Sequence, residues 1–283
     1  MKPITKKLQL TALAVSLSAS VGFGFWQWQQ QQSAQTHFDI ALRWTVGNLQ
    51  RYQLNTHSIV RQDNPLSSTT TTEQMQLHSL LDVETLGTEK GSVLIGMQLS
   101  KIDLLVNAQF DSDTSQALAT PFRVRFSQIG MPLEFEFPNG VSAKHRTILE
   151  NIVRLFQLNL QKDDTWQARE SNAHGTYSAS YQRVGPREFR KHKHDFQLAT
   201  VNNTEPASNI ESNEQLRIDQ QQDWIATMLV NESLLTQQAD GTKIKISNMA
   251  SLELSPFSPA INRDVWAFTT TSDVNTMLGG PQQ

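Results

Sequence analysis

Apolar and polar residues alternate along most of this chain, with the period of two expected of half-buried β-strands. Ile40 to Val46 puts Ile40, Leu42, Trp44 and Val46 on one face and stops at Gly47-Asn48. Arg51 to Val60 resumes the pattern, which predicts a hairpin across Gly47, Asn48 and Leu49. Asp63 to Thr72, with Pro65 and a Ser/Thr run, reads as an exposed loop. Met75–Leu86 and Ser92–Leu99 are predicted to pair across Gly87, Lys90 and Gly91, and Lys101–Phe110 continues the meander until a polar break over 111–115. Phe122–Phe126 and Leu133–Phe137 alternate strictly, and Pro138-Asn139-Gly140 ends the second.

One segment changes period. Ile148, Leu149, Ile152, Val153, Leu155, Phe156 and Leu160 recur at spacings of three and four, predicting a helix over about 144–161. Its apolar arc is wide and its polar strip (Glu150, Asn151, Arg154, Gln157) narrow, the mark of a helix that is enclosed. The expected fold is therefore mainly β: an antiparallel barrel-like sheet wrapped around one buried helix. Strands resume at Gly175–Arg183 and Glu188–Val201. Asn202–Asn213 reads as a loop or linker, Leu216 and Ile218 as a short strand, and Trp224–Leu235 fits either a helix or a buried strand. Asp240-Gly241 predicts a hairpin turn leading into Lys243–Ile246 and Ser251–Leu254. Residues 259–283, with few core residues, read as a surface tail.

The first 35 residues carry a different signal. Lys2, Lys6 and Lys7 precede an uncharged stretch, Leu8 to Trp26, and no Asp or Glu occurs before Asp39. A basic start followed by an apolar segment is an export pattern. Those nineteen residues, at about 1.5 Å per residue, reach across a hydrocarbon core of about 30 Å. Trp26 and Trp28 stand where interface aromatics would. Ser20-Val21-Gly22 instead suits a cleavage site, so anchor and cleaved signal both stand. Either way residues 36–258 are expected to be translocated: as a single-pass anchored module (periplasmic if bacterial), or secreted if the signal is cleaved. The Gln-rich run to residue 35 reads as a tether.

Composition narrows the chemistry. The 283 residues hold 24 Lys and Arg against 27 Asp and Glu, a formal charge of 24 − 27 = −3, which gives no reason to bind nucleic acid. With no cysteine, disulfides, thiolate metal sites and Cys nucleophiles are excluded. None of the familiar catalytic or nucleotide-binding spacings occurs. No enzyme, cofactor or metal is expected. In the cluster Arg190–Asp195, His192 and His194 share a strand face, a ligand-like spacing, but Arg190 lies with them and Lys191 and Lys193 flank them. That cluster reads as a solvated basic strand; if it binds anything, Arg190, His192 and His194 would meet an anionic surface such as phospholipid head groups. His174, with Ser171 and Glu170 nearby in sequence, forms no triad by spacing.

The stretch Met131–Tyr181 resembles the N-terminal β-module of the large lipid transfer proteins, the family of vitellogenin, apolipoprotein B and the microsomal triglyceride transfer protein. The resemblance lies in Pro132-Leu133 leading into Phe135-Glu136-Phe137, then Gly140-Val141, Asn151, Arg154-Leu155-Phe156 and Gln157-Leu158-Asn159-Leu160. Glu170, Gly175-Thr176-Tyr177 and Tyr181 look like its next strand, and Ser251–Phe257 is similar to its closing sequence. It implies a barrel-like sheet around a helix that handles lipid or a lipid-carrying partner. The disulfides usual in that module have no counterpart here, and the length suits the first module without the larger lipid cavity.

The function expected is thus a translocated, membrane-tethered, lipid-transfer-like β module that binds lipid or a lipoprotein partner, attached through residues 8–26. Phe135, Phe137, Ile152, Phe156 and Tyr177 are the lipid-contacting candidates. The alternative is an envelope protein-interaction or assembly module with no lipid cavity.

Overall fold

A computed structural model describes residues 42–65, 68–89, 91–172, 175–198, 208–219, 224–238, 240–256 and 263–270. All belong to the unit Ile40–Gln283. The expected export or anchor segment lies outside them, as does His174; among the described residues no helix is long and apolar enough to cross a membrane.

Twelve strands form one antiparallel sheet: β1 (Leu49–Asn64), β2 (Thr69–Glu89), β3 (Ser92–Val106), β4 (Gln109–Phe110), β5 (Phe122–Ser127), β6 (Pro132–Glu136), β7 (Thr165–Asn172), β8 (Gly175–Gly185), β9 (Glu188–Leu198), β10 (Ser208–Ile218), β11 (Ile225–Gln237) and β12 (Lys243–Leu254). The spatial order is β6-β5-β3-β2-β1-β12-β11-β10-β9-β8-β7, with β4 paired to β3. Mainly β is thus correct. Several strands outrun the alternation read from sequence. The Asp63–Thr72 stretch is largely ladder, since Asp63 pairs with Thr70, and β10 begins at Ser208, inside the expected linker. Trp224–Leu235 resolves as strand rather than helix. Gly241, at φ +82°, turns β11 into β12, a backbone conformation that favours glycine. Residues 42–48 are turn and coil, so the first expected hairpin is not formed there; Leu42 and Trp44 pack on the core as a plug.

Among the described residues two α-helices interrupt the sheet. Asp111, expected as part of a polar break, caps the short α1 (Ser112–Leu118) by accepting the Thr114 N–H at 2.9 Å. The predicted long helix is α2 (Ala143–Leu155), capped by the Ser142 hydroxyl. It ends six residues before residue 161, because from Phe156 the buried apolar residues fall at spacing two (Phe156, Leu158, Leu160) and the chain leaves the helix as coil.

The barrel expectation needs correction. The edge strands β6 and β7 do not pair, so no ladder closes the sheet. Eleven strands laid flat would separate those edges by about 48 Å at about 4.8 Å per step. Yet the Arg154 guanidinium lies 5.1 Å from the Phe135 ring of β6 and 3.4 Å from Ser171 Oγ of β7. The sheet therefore curls until its edges nearly meet. The segment after α2 stitches the gap: Leu158 and Leu160 donate N–H groups to Gly130 and Ile129 beside β6, while Asn159 accepts from Trp166 Nε1 of β7 at 2.7 Å. Nor is α2 enclosed all round. Leu149, Ile152 and Val153 are buried, whereas Lys144 and Thr147 face solvent and Ile148 and Leu155 are half-buried.

Candidate functional site

The inner face of β7–β11 carries charge. On β9, Phe189, Lys191 and Lys193 point inward, and Arg190 and His192 point out. The parity read from sequence holds, but the solvated-strand reading applies only to the outer set. The Lys191 ammonium lies 2.8 Å from Glu170 Oε2 and 3.4 Å from Glu214 Oε2, with all three side chains 0% exposed. Lys193 lies 2.9 Å from Glu214 Oε1 and donates to Glu232 Oε2 at 2.6 Å. Tyr177 and Tyr181 donate to Glu170, Asn248 donates to Glu232, and Lys191 donates to the Gln157 carbonyl.

Burial opposes charge on both lysines, but the surrounding carboxylates outweigh it and hold the ammonium groups charged well above the ordinary lysine range. Burial likewise pushes up the Glu232 carboxyl, and Lys193 more than reverses this, leaving it below the usual carboxylate range. Among the described residues Glu214 is bound by charge alone, since neither of its oxygens has a hydrogen-bond partner there. Its two lysines sit close but off the hydrogen-bonding line.

Beside this network a cleft of about 190 Å³ opens between α2 and strands β1, β2 and β12. Val60, Met75, Ile148, Ile152, Leu155 and Ile246 give it apolar walls. Lys193, Glu232 and Asn248 also line it, as do Asn151, Arg154 and Asn172. A larger but open groove, with Leu229, Met249, His57 and His78, lies across β1, β2, β11 and β12.

Of the lipid-contacting candidates, Ile152 lines the cleft. Phe137 is buried and stacks on Phe122 at 5.5 Å, and Phe156 is buried in the same core. Phe135 is half-buried beneath Arg154. Tyr177 belongs to the ion network and stacks on Phe196. On the outer face, His194 contacts Ser180 Oγ through Nε2 at 2.8 Å and Asp195 Oδ2 through Nδ1 at 2.7 Å. This Ser–His–Asp order has the contacts of a triad, but Asp195 is 71% exposed. Water there removes the dry surroundings that make oxyanion stabilisation strong. Among the described residues no His, Asp and Glu cluster could hold a metal.

The sequence had not singled out Val60, Met75, Ile246 or the Lys193–Glu232 pair for this cleft, nor Arg154 beyond its place in the family resemblance. A signal for buried carboxylates is present: Glu214 shares a strand face with Ile210, Leu216 and Ile218, and Glu232 with Met228, Val230 and Leu234.

The sequence matches no family model and no curated protein. Among solved structures, one describing lipid–protein interactions in lipovitellin matches with a TM-score of 0.55 and 15% identity, over 83% of this chain and 29% of that one. The chain therefore shares, at a distant level, the β fold of part of that lipovitellin chain.

Proposed function

We propose that this chain is a lipid-binding β module that takes an acyl chain into the cleft beneath α2. The observation that carries the reading is the apolar wall of Val60, Met75, Ile148, Ile152, Leu155 and Ile246 around about 190 Å³, in a chain whose fold is shared with lipovitellin. That volume falls below the about 300–1,000 Å³ of pockets that swallow a whole drug-sized ligand. One acyl segment suits it better than a two-chain phospholipid. In the same reading residues 8–26 tether the module to a membrane after export, and Arg190, His192 and His194 rest on anionic head groups.

The test is lipid capture. Delipidated full-length protein, incubated with vesicles containing labelled fatty acid and phospholipid, is separated by gel filtration and its bound lipid counted. We expect single-chain lipid to co-elute, and Ile152→Trp, which fills the cleft, to reduce it several-fold. If no lipid co-elutes at any protein concentration, the reading fails.

A second reading, a protein-interaction or assembly module, draws on the half-exposed Leu229 and Met249 in the outer groove. It expects an unchanged lipid-free protein in the same experiment and a stoichiometric protein partner.

A further inference from the structure

The cations held within this sheet are matched by carboxylates. Arg51 meets Asp82, Arg123 and Arg125 meet Glu136, and Lys191 and Lys193 meet Glu170, Glu214 and Glu232. Arg154 differs. It sits in the last turn of α2, on the cleft wall, half-buried. Its contacts are the Phe135 ring at 5.1 Å and a long hydrogen bond to Ser171 Oγ at 3.4 Å. Among the described residues no carboxylate ion-pairs with it; Glu150, four residues back, acts on it only at a distance.

Burial consequently lowers the Arg154 guanidinium from its ordinary range, with Glu150 and Tyr177 offsetting part of the loss. A guanidinium drawn out of water without an anion carries an uncompensated desolvation cost. Asn151, three residues earlier and therefore on the same side of the helix, also lines the cleft. Its side chain makes no hydrogen bond among the described residues.

We infer that Arg154 and Asn151 form the head-group seat of the cleft, and that its ligand is a single-chain amphiphile ending in a carboxylate, a ligand of the fatty-acid class. This rests on the lipid-binding reading and adds its chemistry. The apolar wall takes the chain and the mouth takes the charge. One guanidinium balances one monoanion, and its planar fork matches the two oxygens of a carboxylate. A cleft of this volume holds part of one chain and leaves the remainder at the mouth.

The experiment titrates full-length protein with decanoate, decanol and decyl phosphate by calorimetry, using the wild type, Arg154→Gln, Arg154→Lys and Ile152→Trp. The wild type should bind decanoate about tenfold or more tighter than decanol, the size of one charge-assisted hydrogen-bonded pair. Arg154→Gln should erase that preference, so that decanoate binds no tighter than decanol, with circular dichroism showing that the variant is folded. Arg154→Lys should keep part of the preference, having the charge without the fork. Ile152→Trp should weaken all three ligands.

Equal binding of decanoate and decanol by the wild type, or an undiminished preference in Arg154→Gln, overturns the Arg154 inference and leaves lipid binding standing. Stronger selection of decyl phosphate than decanoate overturns the carboxylate assignment. Absence of binding by all three overturns both the seat and the lipid reading.

Discussion

The two halves of the curled sheet bury their inner faces equally well with opposite chemistry. On β1, β2, β3 and β5 the inward positions include Tyr52, Leu54, Leu77, Val93, Ile95, Phe122 and Val124, apolar or nearly so. On β7 to β11 the corresponding depth holds Glu170, Lys191, Lys193, Glu214 and Glu232 among the aromatics. The inner face of the first half is held by area removed from water and loses stability in proportion to the atoms removed. The second half depends on matching. Three carboxylates surround two ammonium groups, and Glu214 has charge partners without hydrogen bonds. Deleting either lysine leaves buried carboxylates short of a cation. Burial alone therefore does not rank these positions.

The largest expected effect breaks that matching. Lys191→Met keeps the volume roughly constant but leaves buried Glu170 without its cation and Glu214 with Lys193 alone. We expect a loss of about 3–5 kcal/mol, read from urea unfolding midpoints. Leu54→Ala, a simple truncation in the apolar half, should cost about 2–5 kcal/mol. The two differ in what rescues them. Adding Glu170→Leu to Lys191→Met should recover part of the loss, since a neutral pair is cheaper than a widowed carboxylate. No partner change should recover Leu54→Ala without refilling its volume. If Lys191→Met proves as mild as a surface change, the two halves are energetically alike and the comparison collapses.

A smaller effect sharpens the comparison through pH. The folded-state shift of Lys191 and Lys193 is upward from 10.5, so their contribution is fully present below that unfolded value and is lost only as pH rises through the higher folded values. The shift of Glu232 is downward from 4.5, so its contribution is present above that value and is lost as pH falls through the lower folded one. The network thus stabilises most between about pH 4.5 and 10.5. Chemical unfolding across pH should show an acid limb below that window, and Glu232→Gln should flatten it. Leu54→Ala should shift the whole curve down with both limbs kept. An acid limb unaltered by Glu232→Gln would assign the pH dependence to other groups.

How far the sequence carried these conclusions depends on the scale of the pattern. Alternation and turn chemistry exposed β5, β6, β8 and the β11–β12 hairpin, because each is local: a period of two on one side, Asp240-Gly241 on the other. The end of α2 is written in the spacing of its apolar residues. Apolar residues continue to Leu160, but after Leu155 their spacing drops from three and four to two, the signature of the coil stitch. For Lys191 and Lys193 the shared parity is legible but the buried face is not, because the carboxylates that make burial tolerable lie on three other strands. Closure by Arg154 between Phe135 and Ser171, and the cleft lined by Val60, Met75 and Ile246, join residues far apart in the chain. Those arrangements depend on curl, and curl has no residue pattern of its own.

The smallest expected effect lies one residue away from the largest. Arg190 and His192 flank Lys191 on β9 but face out, with His192 Nδ1 at 2.8 Å from the Ser212 carbonyl. Arg190→Ala and His192→Ala should each change stability by no more than about 0.5 kcal/mol, because water already solvates these side chains and replaces what is lost. Measured in the same urea titrations as Lys191→Met, the three neighbouring substitutions would give small, large and small effects along consecutive positions. That period of two is a direct reading of the face on which each side chain lies. A cost for Arg190→Ala comparable to that of Lys191→Met would mean that the outer face of β9 is covered by something beyond the described residues. The division between a matched interior and a solvated exterior, on which the first comparison rests, would then have to be redrawn.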